Sequence, residues 1–283
     1  MRIQFLGTGA SEGFPGLYCN CQLCQKCREL GGKNLRSRQQ TLIDEGMLID
    51  FPADTLMHSY NYNLNFSKIH TCLVTHSHED HLAPSEFFNR GGVGLNTIEK
   101  ALTLYGSDKS TAVLKSQEKR LEKIGIFSVL IEEPFKPFEV RGYKVTPLKA
   151  DHANAYCGPF LYLVEKDGKT YLHGTDTAYF PEETFDYLKE NGIHLDAVSL
   201  DCTFFTWDHL SKTGVDGCSY GHMSLFCCSQ VKERLEEIGA IDETSKVVLI
   251  HMAHGAGMLH DEMQARADQY GMIVGYDGMV LEI

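Results

Sequence analysis

The chain has 283 residues and a mass of 31.8 kDa, and 43% of its residues are hydrophobic, enough to bury a large core. A formal net charge of −12 and a pI of about 5.5 argue against a broad, non-specific grip on nucleic acid or an anionic membrane, because such binding relies on clustered Lys and Arg. A small phosphorylated substrate stays compatible, since bound divalent metals make a site locally positive.

Residues 2–6 read as a strand running into the turn Gly7-Thr8-Gly9, with neither the basic start nor the apolar run of a secretion signal. No stretch reads as a membrane helix, so a cytoplasmic location is expected. A cysteine-rich loop follows, as far as Cys27. Segments 40–44 and 46–50 predict a hairpin, 52–64 a helix and 69–74 a short buried strand. Pro84-Ser85-Glu86 predicts a helix start. Strands are expected at 101–105, 126–131, 137–148 and 159–165, with a lysine-rich helix near 110–124. Lys166-Asp167-Gly168-Lys169 turns the chain into a strand over 170–173. Then come a helix over 181–191, a strand over 197–200, a helix over 224–238, a strand over 246–250, a helix over 261–270 and two short strands. With no repeat, low-complexity segment or linker, one domain over 1–283 is expected, of mixed α/β (α+β) class.

The sharpest signal is Thr75-His76-Ser77-His78-Glu79-Asp80-His81, placed directly after the buried strand. Imidazoles and a carboxylate together suit zinc, manganese or iron. His76 and His78 alternate by two and can point one way from an extended segment, whereas Asp80 and His81 turn toward a neighbouring position. The spacing predicts one metal on the His76/His78 side and another on the Asp80/His81 side, with Glu79 outside the ligand set. In Cys19-x-Cys21-x-x-Cys24-x-x-Cys27, tight thiol spacing reads as structural zinc, with a [4Fe–4S] cluster as the competing reading. Cys72, Cys157, Cys202, Cys218, Cys227 and Cys228 lack ligand spacing and are expected in the core.

His-x-His-x-Asp-His after a strand resembles the signature of the metallo-β-lactamase superfamily. That resemblance implies a four-layer αββα sandwich with the metal site at one edge of its two sheets. It also implies three further ligands, His152, Asp176 and His251, with Asp176 bridging two metals (Mn, Zn or Fe). One metal would take His76, His78 and His152; the other Asp80, His81 and His251. Asp151 and His173, beside these ligands, are expected to support them or to pack in the core rather than to bind metal. Phe-Leu-Gly-Thr-Gly near the start, Cys-x-Cys-x-x-Cys, and His251-x-x-His254 resemble the PhnP-like phosphodiesterases. There the matching Cys19, Cys21, Cys24 and His254 would hold a structural zinc, leaving Cys27 out.

Tyr220-Gly221-His222-Met223, read as a helix start, resembles a segment of the PhnP-like and tRNase Z families whose histidine assists phosphodiester cleavage. Asp201 would be its acidic partner, orienting the ring. The expected activity is metal-dependent hydrolysis of a small phosphodiester, linear or cyclic, by a hydroxide held between two metals, with His222, Asp201 and Asp80 as catalytic residues. Alternatives are hydrolysis of a lactone, lactam or thioester, a tRNase Z-like nuclease, and a PqqB-like binding or carrier protein. Only 23 residues separate His152 from Asp176, too few for the extruded arm of a tRNase Z. The expected partners are a small phosphorylated substrate and, in a homodimer, a second copy of the chain; no membrane or nucleic acid is expected.

Overall fold

A computed structural model of the chain describes residues 1–91, 99–131, 133–153, 156–209 and 215–283. Its strands are β1 (Arg2–Gly7), β2 (Gln40–Ile43), β3 (Met47–Ile49), β4 (Thr71–Leu73), β5 (Leu102–Gly106), β6 (Ile126–Leu130), β7 (Phe138–Val140), β8 (Tyr143–Lys149), β9 (Phe160–Lys166), β10 (Lys169–Gly174), β11 (Ala197–Asp201), β12 (Cys218–Ser219), β13 (His222–Met223), β14 (Lys246–Ile250), β15 (Ile273–Val274) and β16 (Val280–Glu282). Its α-helices are α1 (Gln22–Leu30), α2 (Thr55–Asn61), α3 (Asp108–Lys115), α4 (Glu118–Lys123), α5 (Glu182–Glu190), α6 (Leu225–Glu237) and α7 (His260–Ala267).

One sheet runs β16-β1-β2-β3-β4-β5-β6 and the other β15-β14-β11-β10-β9-β8-β7. Both share a plan. Strands β16, β1, β2 and β3 pair antiparallel, and from β3 through β6 the pairing is parallel. Strands β7, β8, β9 and β10 likewise pair antiparallel, and from β10 through β11, β14 and β15 the pairing is parallel. The parallel strands are covered on both faces and read as nearly continuous apolar runs, as in Ala197-Val-Ser-Leu-Asp201 and Lys246-Val-Val-Leu-Ile250.

Three apolar layers hold four structural layers together. Between the sheets lie Phe5, Ile43, Leu73, Val145, Tyr162, Tyr171 and Val248. Outside the second sheet, Phe185 and Leu188 of α5, Val231 and Leu235 of α6, and Met263 of α7 pack on Leu163, Leu172, Val198 and Leu249. Outside the first, Phe87, Leu114 of α3 and Leu121 of α4 cover Leu48, Cys72 and Leu104. The αββα sandwich expected from the sequence is the fold observed.

Local differences have local causes. The strand expected over 137–148 breaks at Arg141 and Gly142, both at positive φ (52° and 84°), into the β7–β8 hairpin. The lysine-rich helix is two helices, α3 and α4. The segment after Pro84 is a 3-10 helix, Pro84–Gly91. The cysteine stretch contains a helix, α1, whose N-terminal cap is the Cys21 thiol, accepting from the Cys24 amide at 3.5 Å. His222 does not start a helix but lies in the short β12–β13 hairpin, and α6 begins after Ser224, whose hydroxyl accepts from the Cys227 amide. Among the described residues no helix is long and apolar enough to cross a membrane.

Candidate metal centre

The ends of the parallel strands deliver most of the cluster. Thr75–His81 follows β4, Asp176 follows β10, Asp201 ends β11 and His251 follows β14; His152 follows β8. The backbone turns sharply there: Asp176 and His251 adopt left-handed conformations, with φ of 50° and 61°. Such conformations cost of order 1–3 kcal/mol each and persist where surrounding structure enforces them, often at functional sites.

The side chains converge in two groups. His78 Nδ1 lies 2.9 Å from His76 Nε2 and 3.2 Å from His152 Nε2. Asp176 Oδ1 faces this group, at 3.9 Å from His76 Nε2 and 3.7 Å from His152 Nε2. In the second group, His81 Nε2 and His251 Nε2 are 3.2 Å apart, with Asp80 Oδ2 at 3.4 and 3.7 Å from them. Asp176 Oδ2 faces that group, 3.0 Å from His81 Nε2 and 3.2 Å from His251 Nε2. One carboxylate thus offers one oxygen to each side.

The outer nitrogens show what the inner ones are free to do. His81 Nδ1 donates to Asp50 at 2.7 Å, and His152 Nδ1 donates to the Gly221 carbonyl at 3.0 Å. His76 Nδ1 is 3.0 Å from the Thr75 hydroxyl, and His251 Nδ1 is 2.8 Å from the Thr203 hydroxyl. With protons held on the outer nitrogens, inner lone pairs point at one another and at carboxylate oxygens, an arrangement that calls for cations between them. Electrostatics agree. Burial pushes His76 and His152 down, keeping them neutral. Burial would also strip His251, but Asp176, Asp80 and Asp201 outweigh it and raise it to about 9; Asp176, Asp80 and Asp50 raise His81 in the same way. Protons there take the place of positive charge that a divalent metal would supply. The donor set of imidazoles and carboxylates fits zinc, manganese or iron.

Asp50, Thr75 and Thr203 complete the site, and the sequence did not single out Asp50 or Thr203. Asp50 is buried and also accepts from the Thr75 amide and hydroxyl at 2.8 and 2.9 Å. Its only signal was an acid closing an apolar strand. His222 Nδ1 is 2.9 Å from Asp201 Oδ2, so the expected pair is formed. Gly221 at φ 78° lets the hairpin approach the His152 loop, since a Cβ there would sit 2.8 Å from the His152 Cα. A cavity of about 390 Å³ exposes His78, Asp80, His152, Asp176, His222 and His251 together. The Asp151 amide donates to the Thr177 hydroxyl at 2.9 Å, and Asp151 stays outside the cluster, while His173 is buried against Tyr171 and Ser199.

A second cluster gathers Cys19, Cys24 and His254, whose ligand atoms lie within 4.8 Å of one another. Cys21 is not among these convergent ligand atoms; its exposed thiol accepts from the Cys24 amide at 3.5 Å, and Cys27 turns into the apolar layer under α1. Gly16 packs so closely on the His254 ring that a Cβ would lie 2.7 Å from it. Three of the cysteines expected in the core are buried there and have a further feature. Cys218 and Cys227 form a disulfide between β12 and α6. Cys157 lies within 4.8 Å of the His76, His78 and His152 ligand atoms, and burial raises its thiol to about 11.

A family model described as "Beta-lactamase superfamily domain" matches residues 48–252. No curated protein sequence matches. Among solved structures, zinc-bound PqqB from Methylobacterium extorquens is 18% identical, with a TM-score of 0.73 and 100% of both chains covered. A diphosphatase of the PhnP family is 22% identical, covering 100% of this chain and 98% of that one, with a TM-score of 0.71. Human short-form tRNase Z is 15% identical, covering 100% and 99%, with a TM-score of 0.67. At these identities the likeness establishes the metallo-β-lactamase fold. Since the family model covers well over half of its length, the chain belongs to the beta-lactamase superfamily, whose members are mostly metal-dependent hydrolases.

Proposed function

We propose that the chain is a metal-dependent phosphodiesterase acting on a small phosphodiester, linear or cyclic. The observation that supports this most is the His222–Asp201 pair beside the convergent histidines, in the same cavity. Cleavage of an alkyl phosphodiester expels a poor leaving group that needs a proton, whereas an activated ester needs none. Two divalent metals held by His76, His78 and His152, by Asp80, His81 and His251, and jointly by Asp176 would activate water and neutralise charge on the phosphate. We assign a structural zinc to Cys19, Cys21, Cys24 and His254. Since His251 and His254 are three residues apart, a zinc held there would steady the loop carrying His251.

The chain's own groups divide the remaining work. Asp201 accepts from His222 Nδ1, which leaves Nε2 to donate to the leaving oxygen. Asp50, Gly221 and Thr203 fix the rings of His81, His152 and His251, so the inner donors need no reorganisation on binding. His222→Ala is expected to retain its metals and lose about 10²–10⁴-fold in rate on a diester with an alkyl leaving group. It should lose far less on a nitrophenyl diester. Steady-state rates on both substrates, with metal content from plasma mass spectrometry, test this; equal losses with metals bound would remove His222 as the acid. Lactam hydrolysis without phosphodiesterase activity would reject the proposed reaction.

A further inference from the structure

The segment after Thr203 carries three aromatic residues that part company. Phe205 is 1% exposed and joins the core, while Phe204 and Trp207 are half-buried and line the candidate active-site cavity. Their rings stack, with centroids 5.0 Å apart and planes at 15°, and Phe204 meets His222 edge-on at 5.6 Å and 82°. The turn is pinned on both sides. The Phe204 amide donates to the Met223 carbonyl at 3.0 Å, and the Thr206 hydroxyl donates to the Ala256 carbonyl at 2.9 Å. A rigid aromatic wall therefore stands next to the proposed proton donor.

Among the described residues no Lys or Arg lines this cavity. Among the described residues, the largest non-ionic surface that the cavity offers a ligand is the aromatic wall. Planar rings stack on aromatic side chains whatever their hydrogen-bonding edges. A volume of about 390 Å³ falls within the usual range for small-molecule sites.

We propose that Phe204 and Trp207 form a ring-stacking subsite on the leaving-group side of the centre, selecting phosphodiesters that carry a planar heteroaromatic ring, as a nucleoside does. This rests on the phosphodiesterase reading. Trp207 is the one tryptophan in the chain, so intrinsic tryptophan fluorescence reports on this subsite alone.

The test uses the metal-loaded full chain. Adenosine 5′-monophosphate is expected to quench Trp207 fluorescence saturably and to bind about 5- to 150-fold more tightly than ribose 5-phosphate by calorimetry, the range of one stacked base. In kinetics, kcat/KM for adenosine 2′,3′-cyclic phosphate is expected to exceed that for the base-free 1-O-methylribose 2,3-cyclic phosphate by a similar ratio. Trp207→Leu should collapse the ratio and Trp207→Phe restore most of it. Equal binding of the two monophosphates without quenching, or a ratio untouched by Trp207→Leu, would overturn the subsite even if both diesters are hydrolysed. Saturable quenching and selective binding of the adenosine ligand, with neither diester hydrolysed, would support the subsite while rejecting the phosphodiesterase reading.

Discussion

Asp176 carries the sharpest demand made on any single residue. Its two oxygens face two different groups of nitrogens, at 3.0–3.9 Å, from a left-handed backbone that few residues adopt readily. Asp176→Ala is therefore expected to contain at least one fewer metal per chain by plasma mass spectrometry, and Asp176→Asn, which keeps the shape and one oxygen, to fall between it and the parent. Full metal content in the alanine variant would count against a bridging role. The residue scale also separates holding from orienting. His81 points its inner nitrogen into the cluster only because Asp50 occupies the outer one.

At the scale of elements, α7 shows how a buried ring makes packing pH-dependent. His260 opens α7 and is 4% exposed, and its Nδ1 accepts from the Arg36 guanidinium at 3.1 Å. Burial, with Arg36 and Lys33 nearby, lowers its pKa to about 4, so the folded state holds it neutral. The unfolded chain, with a histidine pKa of about 6.5, binds the proton first as the solution is acidified. The stability from this group is fully present above pH ~6.5 and is lost as pH falls toward ~4. His260→Gln keeps an acceptor for Arg36 and cannot be protonated. Between pH 7 and pH 5 it is expected to lose about 2 kcal/mol less than the parent, measured from urea midpoints. An unchanged difference would show that His260 is not responsible.

On the scale of the whole molecule, one buried carboxylate joins three distant parts of the chain. Asp277 accepts from the amide and hydroxyl of Thr8 at 2.8 and 2.7 Å and from those of Ser37 at 2.6 and 2.6 Å. Arg36, buried alongside, donates to Thr8 and to the Gly275 carbonyl. Burial raises the Asp277 carboxyl to about 6, so at pH 7 it is mostly ionised and balances the guanidinium. Asp277→Asn would set an amide donor against two of the four donors and leave Arg36 uncompensated. A loss of about 3–5 kcal/mol is expected in urea unfolding at pH 7, and a change below 1 kcal/mol would show that the network is dispensable.

Much of this was legible in the residues themselves, because strand and cluster signals are local. Alternating and continuous apolar runs mark the strands to within a few residues, and His76–His81 concentrates four metal donors in one short segment. The order His152, Asp176, His251 was legible only through resemblance, since a lone His or Asp at a strand end says nothing by itself. Tertiary structure alone brought these strand ends to one edge of two sheets, where parallel pairing aligns the C-terminal ends of β10, β11 and β14. It alone showed Asp50 and Thr203 orienting the rings, sent Cys27 into the core while drawing Cys24 toward His254, and turned Phe204 and Trp207 toward the cavity while Phe205 packs inward. Each of those outcomes depends on contacts between segments far apart in the chain, and local pattern carries no record of which distant partner a side chain meets.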